Sequence, residues 1–366
     1  MDNRYSLAQL PTPIHRWNVA GLPEGCELWI KRDDLSGMQL SGNKVRKLEF
    51  LLAEAKAQGC DCVITIGGIQ SNHCRATAVA ARYLGLEPYV ILRTEKKVVD
   101  KDPGLVGNLL VERLIGAKIE LMTRQEYVAI GSVALGENLK ARLEAQGRKP
   151  YLIPVGGSNA LGSWGYLQAV AEIEAQLEAG IGPSSVDDIV LASGSGGTAA
   201  GMALGVHLSS LTAQLHSYGV CDSPQYFHDH ITGLLRDMGY GDPVAGVIGK
   251  CLQAKGAAYG VSQPAELKVM QEVAHQTGVI MDPVYSGKAL YRLLEDMKAD
   301  PKAWEHRRVL FIHTGGMLGM YDKVDQLQPL VEGLGNVSRF PVGEILGSDE
   351  DDEERSCERI KGCTIS

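Results

Sequence analysis

The sequence predicts an α/β protein built from two Rossmann-like parallel-sheet units, and three observations carry that expectation. Short apolar runs alternate with amphipathic or small-residue stretches along most of the chain. Several runs close on glycine-rich turns that open helices, at Gly67-Gly68, at Gly194 and at Gly315-Gly316. A length of 366 residues, 45% of them hydrophobic and 22% charged, suits two domains with a substantial core.

Taken in order, prolines hold residues 9–13 extended. Alternation over 26–31 predicts a strand, and a glycine-punctuated loop leads to Lys44. Val45, Leu48, Leu51, Leu52 and Ala55 recur with helical spacing and predict a helix over 45–57. A buried strand over 62–68, a helix over 75–84, strands over 89–92 and 118–122, and helices over 104–115 and 133–146 follow. A strand over 149–154 closes this set. Pro154-Val-Gly-Gly-Ser-Asn159 then breaks the rhythm before a helix over 161–178. A second set comprises strands over 187–192, 215–220 and 309–312. Its helices span 199–209, 228–237, 264–277, 287–298 and 317–326. From about residue 340 the composition changes, and six consecutive acids, Asp349 to Glu354, predict a solvated, disordered tail.

The formal net charge of -8 leaves no basic field for nucleic acid or an anionic membrane, so any positive potential must be local. No apolar run approaches the roughly 20 residues of a membrane span. The eight cysteines include no C-x-x-C pair, so zinc and thioredoxin-like chemistry have no foothold. Free thiols and the polar start Met1-Asp2-Asn3-Arg4 predict a cytoplasmic protein, or an organellar one if a transit peptide precedes this chain.

Chemistry concentrates in a few stretches. In Ser41-Gly-Asn-Lys-Val-Arg-Lys47, three cations crowd a helix start, where anions are welcome and cations are not. That suggests an anionic ligand, and a desolvated lysine there can act as an amine nucleophile. Ser193-Gly-Ser-Gly-Gly-Thr198, between strand and helix, is phosphate-cradle material: Gly194, Ser195, Gly196, Gly197 and Thr198 let backbone N–H groups approach an anion. It is neither a Walker A loop nor a full G-x-G-x-x-G. Asp222, at the end of the next strand, keeps open a dinucleotide-binding oxidoreductase, and the loop alone keeps open a non-enzymatic phosphate binder. Ser71, Asn72 and His73 can offer donors to a carboxylate at a helix start. Tyr259 and Tyr285 each stand near glycine just before a helix, where a phenol can move a proton. Ligands of open α/β sheets gather beyond the carboxyl ends of strands, so these stretches point to one crevice.

Together, Ser41-Gly-Asn-Lys-Val-Arg-Lys-Leu-Glu, Gly67-Gly-Ile-Gln-Ser-Asn-His and the Ser193 loop resemble the pyridoxal-phosphate (PLP) β-family, fold type II. Within it, the chain is similar to the 1-aminocyclopropane-1-carboxylate (ACC) deaminase and D-cysteine desulfhydrase branch over roughly residues 7–330. The resemblance implies a large PLP-binding domain from 1–47 and 161–340, a small inserted domain at 48–160, and a homodimer. It implies that Lys44 holds pyridoxal 5'-phosphate through its amine, that Lys47 and residues 194–198 bind the phosphate, and that Asn72 meets the ring hydroxyl. Ser71, with the neighbouring N–H groups of Asn72 and His73, would bind the substrate carboxylate, with Tyr259 and Tyr285 on the substrate side.

ACC deaminases carry glutamate after the second tyrosine and leucine before the last glycine pair. Here those positions are Ser286 and Thr314. A carboxylate at the pyridine nitrogen makes a strong electron sink, which opening a cyclopropane without an α-hydrogen should need. A hydroxyl supports a weaker sink, sufficient to lose an α-proton and expel thiolate. The pair therefore resembles D-cysteine desulfhydrases and implies β-elimination of D-cysteine to pyruvate, ammonia and hydrogen sulfide. ACC deamination to 2-oxobutanoate and ammonia is the alternative.

Overall fold

The computed structural model describes residues 4–241, 245–335 and 337–340. The predicted acidic tail, 341–366, lies outside the described residues. By internal contacts the chain divides into Met1–Gln326 and Leu327–Ser366, and both sheets and the site lie in the first.

In chain order the strands are β1 (Ile14–Arg16), β2 (Glu27–Lys31), β3 (Cys62–Gly68), β4 (Glu87–Thr94), β5 (Lys118–Thr123), β6 (Pro150–Leu152), β7 (Asp188–Ser193), β8 (Gln214–Gly219), β9 (Lys250–Gln253) and β10 (Arg308–Ile312). The helices are α1 (Lys44–Ala57), α2 (Asn72–Tyr83), α3 (Lys96–Val99), α4 (Gly107–Leu114), α5 (Arg124–Ile130), α6 (Ser132–Glu144), α7 (Ala160–Glu178), α8 (Gly197–Leu208), α9 (Pro224–Asp237), α10 (Ala245–Ile248), α11 (Pro264–Thr277), α12 (Ser286–Ala299), α13 (Met317–Met320) and α14 (Val324–Glu332).

One sheet is six-stranded in the order β1-β2-β10-β7-β8-β9, parallel except for the β1–β2 pair. The other is four-stranded and all parallel, in the order β5-β4-β3-β6. The four-stranded sheet takes its strands from within 62–152, and the six-stranded one takes its strands from both sides of that interval. Continuous burial along β7, from Asp188 to Ser193, reflects helices on both faces. Its core packs Ile189, Leu191 and Ile312 against Tyr166, Val170, Ala199 and Ala203 of the covering helices.

Helix α1 buries its whole apolar set: Val45, Leu48, Leu51, Leu52 and Ala55 are 0% exposed. Each leucine there stabilises the fold by about 1.5–3 kcal/mol. Helix α7 crosses closely because of Gly165, where a Cβ would lie 2.8 Å from the Lys47 backbone nitrogen. The same contact is pinned by buried charge. Arg46 donates to Asp33 at 2.8 and 3.0 Å and to Glu172 at 3.0 Å, and Tyr166 donates to Asp33. Of the three cations in the lysine turn, Arg46 therefore serves this junction and not a ligand.

Two further expectations change. The helix predicted over 104–115 is shorter, and the one predicted over 317–326 breaks into α13, a 3-10 turn at Tyr321–Lys323 and the start of α14. Gly319, one turn in, weakens that helix. Edge strands β1 and β9 and helix α5 went unpredicted. Gly131 (φ 86) separates α5 from α6 inside a stretch whose composition does not change.

Candidate active site

Lys44 opens α1, and the turn before it is fastened at both ends. The Asn43 backbone N–H donates to the Thr314 carbonyl at 3.1 Å, and its side-chain amide donates to Thr198 Oγ1 at 3.0 Å. Gly42 (φ 102) allows this approach, since a Cβ there would fall 2.7 Å from the Thr314 oxygen. The turn thus joins the carboxyl ends of β10 and β7, 3.0 Å from the glycine loop at Thr198.

The Lys44 ammonium has no hydrogen-bond or ion-pair partner among the described residues. Part of its side chain stays accessible, yet protein surrounds it closely, and burial lowers its pKa from the ordinary 10.5 to about 8. Lys47, one turn on, is 1% exposed. It donates to the Gly156 carbonyl at 3.2 Å and to Ser158 Oγ at 3.1 Å. Burial first, and then the charge of Lys44, push its pKa well down. Among the described residues no carboxylate pairs with either amine.

The glycine loop faces these lysines. Gly196 (φ 78) makes the turn into α8, whose N-terminus carries no side chain from its cap residue and can face an anion. A Cβ on Gly197 would lie 2.7 Å from Ser158 Oγ and 2.9 Å from Lys47 Nζ. Ser158 Oγ also bonds Ser195 Oγ at 2.8 Å and accepts from the Gly197 N–H at 3.3 Å. Ser158 was not among the predicted site residues. Its signal was the Gly156-Gly157-Ser158 break itself, read only as a boundary.

This arrangement fits a phosphate monoester. A buried cation, a second cation one turn away and a helix N-terminus leave a positive potential that a dianion would neutralise, and glycine backbone leaves room for it.

Around this centre, Ser71 caps α2, accepting from the Cys74 N–H at 3.2 Å. Gly67 permits that fold-back, because a Cβ would lie 2.6 Å from Cys74 Sγ. Asn72, half-buried, accepts from Asn108 Nδ2 at 2.9 Å. His73 differs from the other predicted contacts. It is 4% exposed and its Nε2 is engaged by Thr65 Oγ1 at 2.8 Å, so its backbone N–H, not its ring, is what it can offer. Burial, reinforced by Lys44 and Lys47, keeps that ring neutral.

Tyr285 lies over the loop: a Cβ on Gly194 would fall 2.8 Å from its ring. Its hydroxyl meets that of Tyr259 at 2.5 Å. Burial raises the pKa of both phenols. Ser286 Oγ lies 3.2 Å from Thr314 Oγ1, both side chains buried. The neighbouring Asp282 carboxylate is occupied by the N–H groups of Val284, Tyr285 and Ser286 at 2.8–3.0 Å. Asp222 contributes a backbone carbonyl to Gln253 and joins none of these contacts. Among the described residues there is no cluster of metal ligands and no helix long and apolar enough to cross a membrane.

Known proteins bear on this geometry. The family model described as pyridoxal-phosphate dependent enzyme matches residues 5–315. A bifunctional D-cysteine desulfhydrase/1-aminocyclopropane-1-carboxylate deaminase, mitochondrial, of Arabidopsis thaliana is 58% identical over 94% of this chain and 85% of its own length. A D-cysteine desulfhydrase of Serratia proteamaculans is 37% identical over 87% of this chain and 98% of its own. The crystal structure of an ACC deaminase homologue superposes with a TM-score of 0.74 at 33% identity, covering 90% of this chain and 96% of that one. The chain is a pyridoxal-phosphate-dependent lyase and belongs to the D-cysteine desulfhydrase/ACC deaminase family of fold type II.

Proposed function

We propose that the protein eliminates hydrosulfide from D-cysteine, consuming one water and giving pyruvate, ammonia and hydrogen sulfide. The observation that carries the choice of substrate is the Ser286–Thr314 hydroxyl pair at the end of β10, where a carboxylate would favour ring opening of ACC. When bound, pyridoxal phosphate supplies the sink for the electron pair left at the substrate's α-carbon.

In this reading Lys47 and residues 194–198 hold the phosphate, Ser286 and Thr314 meet the ring nitrogen, and Asn72 meets the ring oxygen. Ser71 Oγ and the first N–H groups of α2 bind the substrate carboxylate. Lys44 Nζ holds the cofactor and, once released by substrate, takes the α-proton. Its pKa near 8 leaves a useful fraction of neutral amine at physiological pH. The Tyr259–Tyr285 pair keeps a proton at the substrate side and delivers it to the departing sulfur. In this reading the six-stranded sheet belongs to the large domain and the four-stranded sheet to the small inserted one.

The Arabidopsis relative is named for both activities. ACC deamination is therefore the second reading. Pyruvate and sulfide from D-cysteine, measured beside 2-oxobutanoate from ACC, separate the two, and turnover of ACC alone would replace the first by the second. Borohydride reduction followed by peptide mass mapping tests the Lys44 linkage, and a label on any other lysine would refute it. We read the assembly as a homodimer, to be measured by sedimentation. Its compartment is cytoplasmic in this reading, the mitochondrial relative making an organelle the alternative.

A further inference from the structure

Asn108, on α4, is 0% exposed and makes three side-chain hydrogen bonds. Its Oδ1 accepts from Arg75 Nε at 3.1 Å. Its Nδ2 donates to the Gln70 carbonyl at 3.0 Å and to Asn72 Oδ1 at 2.9 Å. Two of these partners have fixed polarity: a guanidinium N–H can only donate, and a backbone carbonyl can only accept. The Asn108 amide therefore has one permitted orientation. With its N–H directed at Asn72, the Asn72 carbonyl must accept, and the Asn72 amide N–H₂ is left with no partner among the described residues.

Arg75 is itself immobile. It is 1% exposed and also donates to the carbonyls of Gln39 and Ser41, the latter at 3.0 Å, so it grips the turn that leads to Lys44. Burial lowers its pKa to about 10, which still leaves it charged at neutral pH. Glu112, buried nearby, has its carboxyl pKa raised well above the ordinary value by burial, against the opposing charge of Arg75.

We propose that Arg75 and Asn108 are positioning residues, a polarity relay that obliges Asn72 to present an N–H donor, and not a carbonyl, to the oxygen on the cofactor ring. This rests on the placement of the cofactor beside Asn72 proposed above. A donor there draws electron density from the ring oxygen, whereas an acceptor would add negative potential. The polarity should be visible in the cofactor's own titration.

The titratable groups nearest this relay are Arg75, which shares Asn108 with Asn72, Glu112, which acts on Arg75, and Lys44 and Lys47, which act on the adjacent His73. The test uses the holoenzyme and reads the pH midpoint of its visible absorbance band. Asn108→Asp keeps the bond to Arg75 but can no longer donate, so Asn72 must turn and present its carbonyl. The midpoint should rise by about one pH unit. In an Asn72→Ala background the same change should move it by less than half as much. An unchanged midpoint, or an equal shift in both backgrounds, which would show the new charge acting through space, overturns the relay. If Asn108→Asp does not fold, as judged by circular dichroism, Arg75→Gln decides by the same two-background comparison, because glutamine can both donate and accept and releases the constraint. Asn72→Ala alone separates the two levels: with no effect on the midpoint, the placement of the cofactor at Asn72 is wrong. With a shift there but none from Asn108→Asp, only the relay is.

Discussion

The hydroxyls of Tyr259 and Tyr285 lie 2.5 Å apart, with their rings at 70°. Tyr259 exposes 38% of its surface. Burial raises both pKa values. Either hydroxyl can donate in the bond they share, so one proton serves both oxygens. If the two act as a unit, Tyr285→Phe and Tyr259→Phe should each cut kcat on D-cysteine by about a hundredfold, and the double variant should be no worse than the poorer single. Additive losses in steady-state kinetics would show two separate roles.

Lys44 makes a prediction about pH. An amine must be neutral to attack an aldehyde, and burial lowers this one from 10.5 to about 8. The rate at which apoprotein takes up pyridoxal phosphate should therefore climb with pH and level off above about 8, followed by the growth of visible absorbance. A rate still climbing steeply at pH 10 would mean that the lysine is not desolvated. Lys44→Ala should abolish turnover.

Lys47 should behave in opposite senses with and without cofactor. A buried cation lacking a carboxylate destabilises the apoprotein, so Lys47→Met should raise its melting temperature. The same change removes a charge-assisted contact to phosphate and should weaken cofactor binding by about tenfold or more in equilibrium dialysis. A loss of stability in the apo form would contradict the first half.

The hydroxyl pair sets the strength of the electron sink. Ser286→Glu with Thr314→Leu should raise ACC turnover by about tenfold and lower D-cysteine turnover, both assayed as keto-acid release. An absence of any gain on ACC would remove the physical basis for choosing D-cysteine.

Asp33 contributes through acid stability. Burial alone would raise its pKa, but Arg46, Lys31 and Tyr166 outweigh that and hold it at about 2, below the ordinary 3.8. A depressed carboxyl stabilises the fold above its ordinary pKa, and that contribution is lost as pH falls from about 4 through 2. Asp33→Asn should cost about 3 kcal/mol at pH 7, measured by urea unfolding, and should flatten the decline between pH 4 and 2.

Much of this was readable from local signals. Strand and helix periodicity placed most elements, and glycine pairs marked the strand ends where a ligand would sit. What stayed hidden depends on distant partners. Ser158 joins the cradle through Ser195 and Lys47, 37 and 111 residues away, and the glycine break beside it marks a turn without naming those partners. Arg46 looked like a ligand cation until Asp33 and Glu172 appeared beside it. His73 carries the same sequence promise as Ser71 and Asn72, but the helix turns its ring inward onto Thr65. A three-residue edge strand such as β1 offers one inward side chain, too little for a period to show.

The central position of β10 has a consequence for biosynthesis. It pairs with β2 on one side and β7 on the other, so a strand synthesised after both fits between them. On the ribosome the four-stranded sheet can condense first, while β2 waits with an open edge until residues 308–312 emerge. Until then Lys44 has no Thr314 to fasten its turn, and the nascent polypeptide should be most vulnerable to aggregation and most dependent on chaperones over that interval.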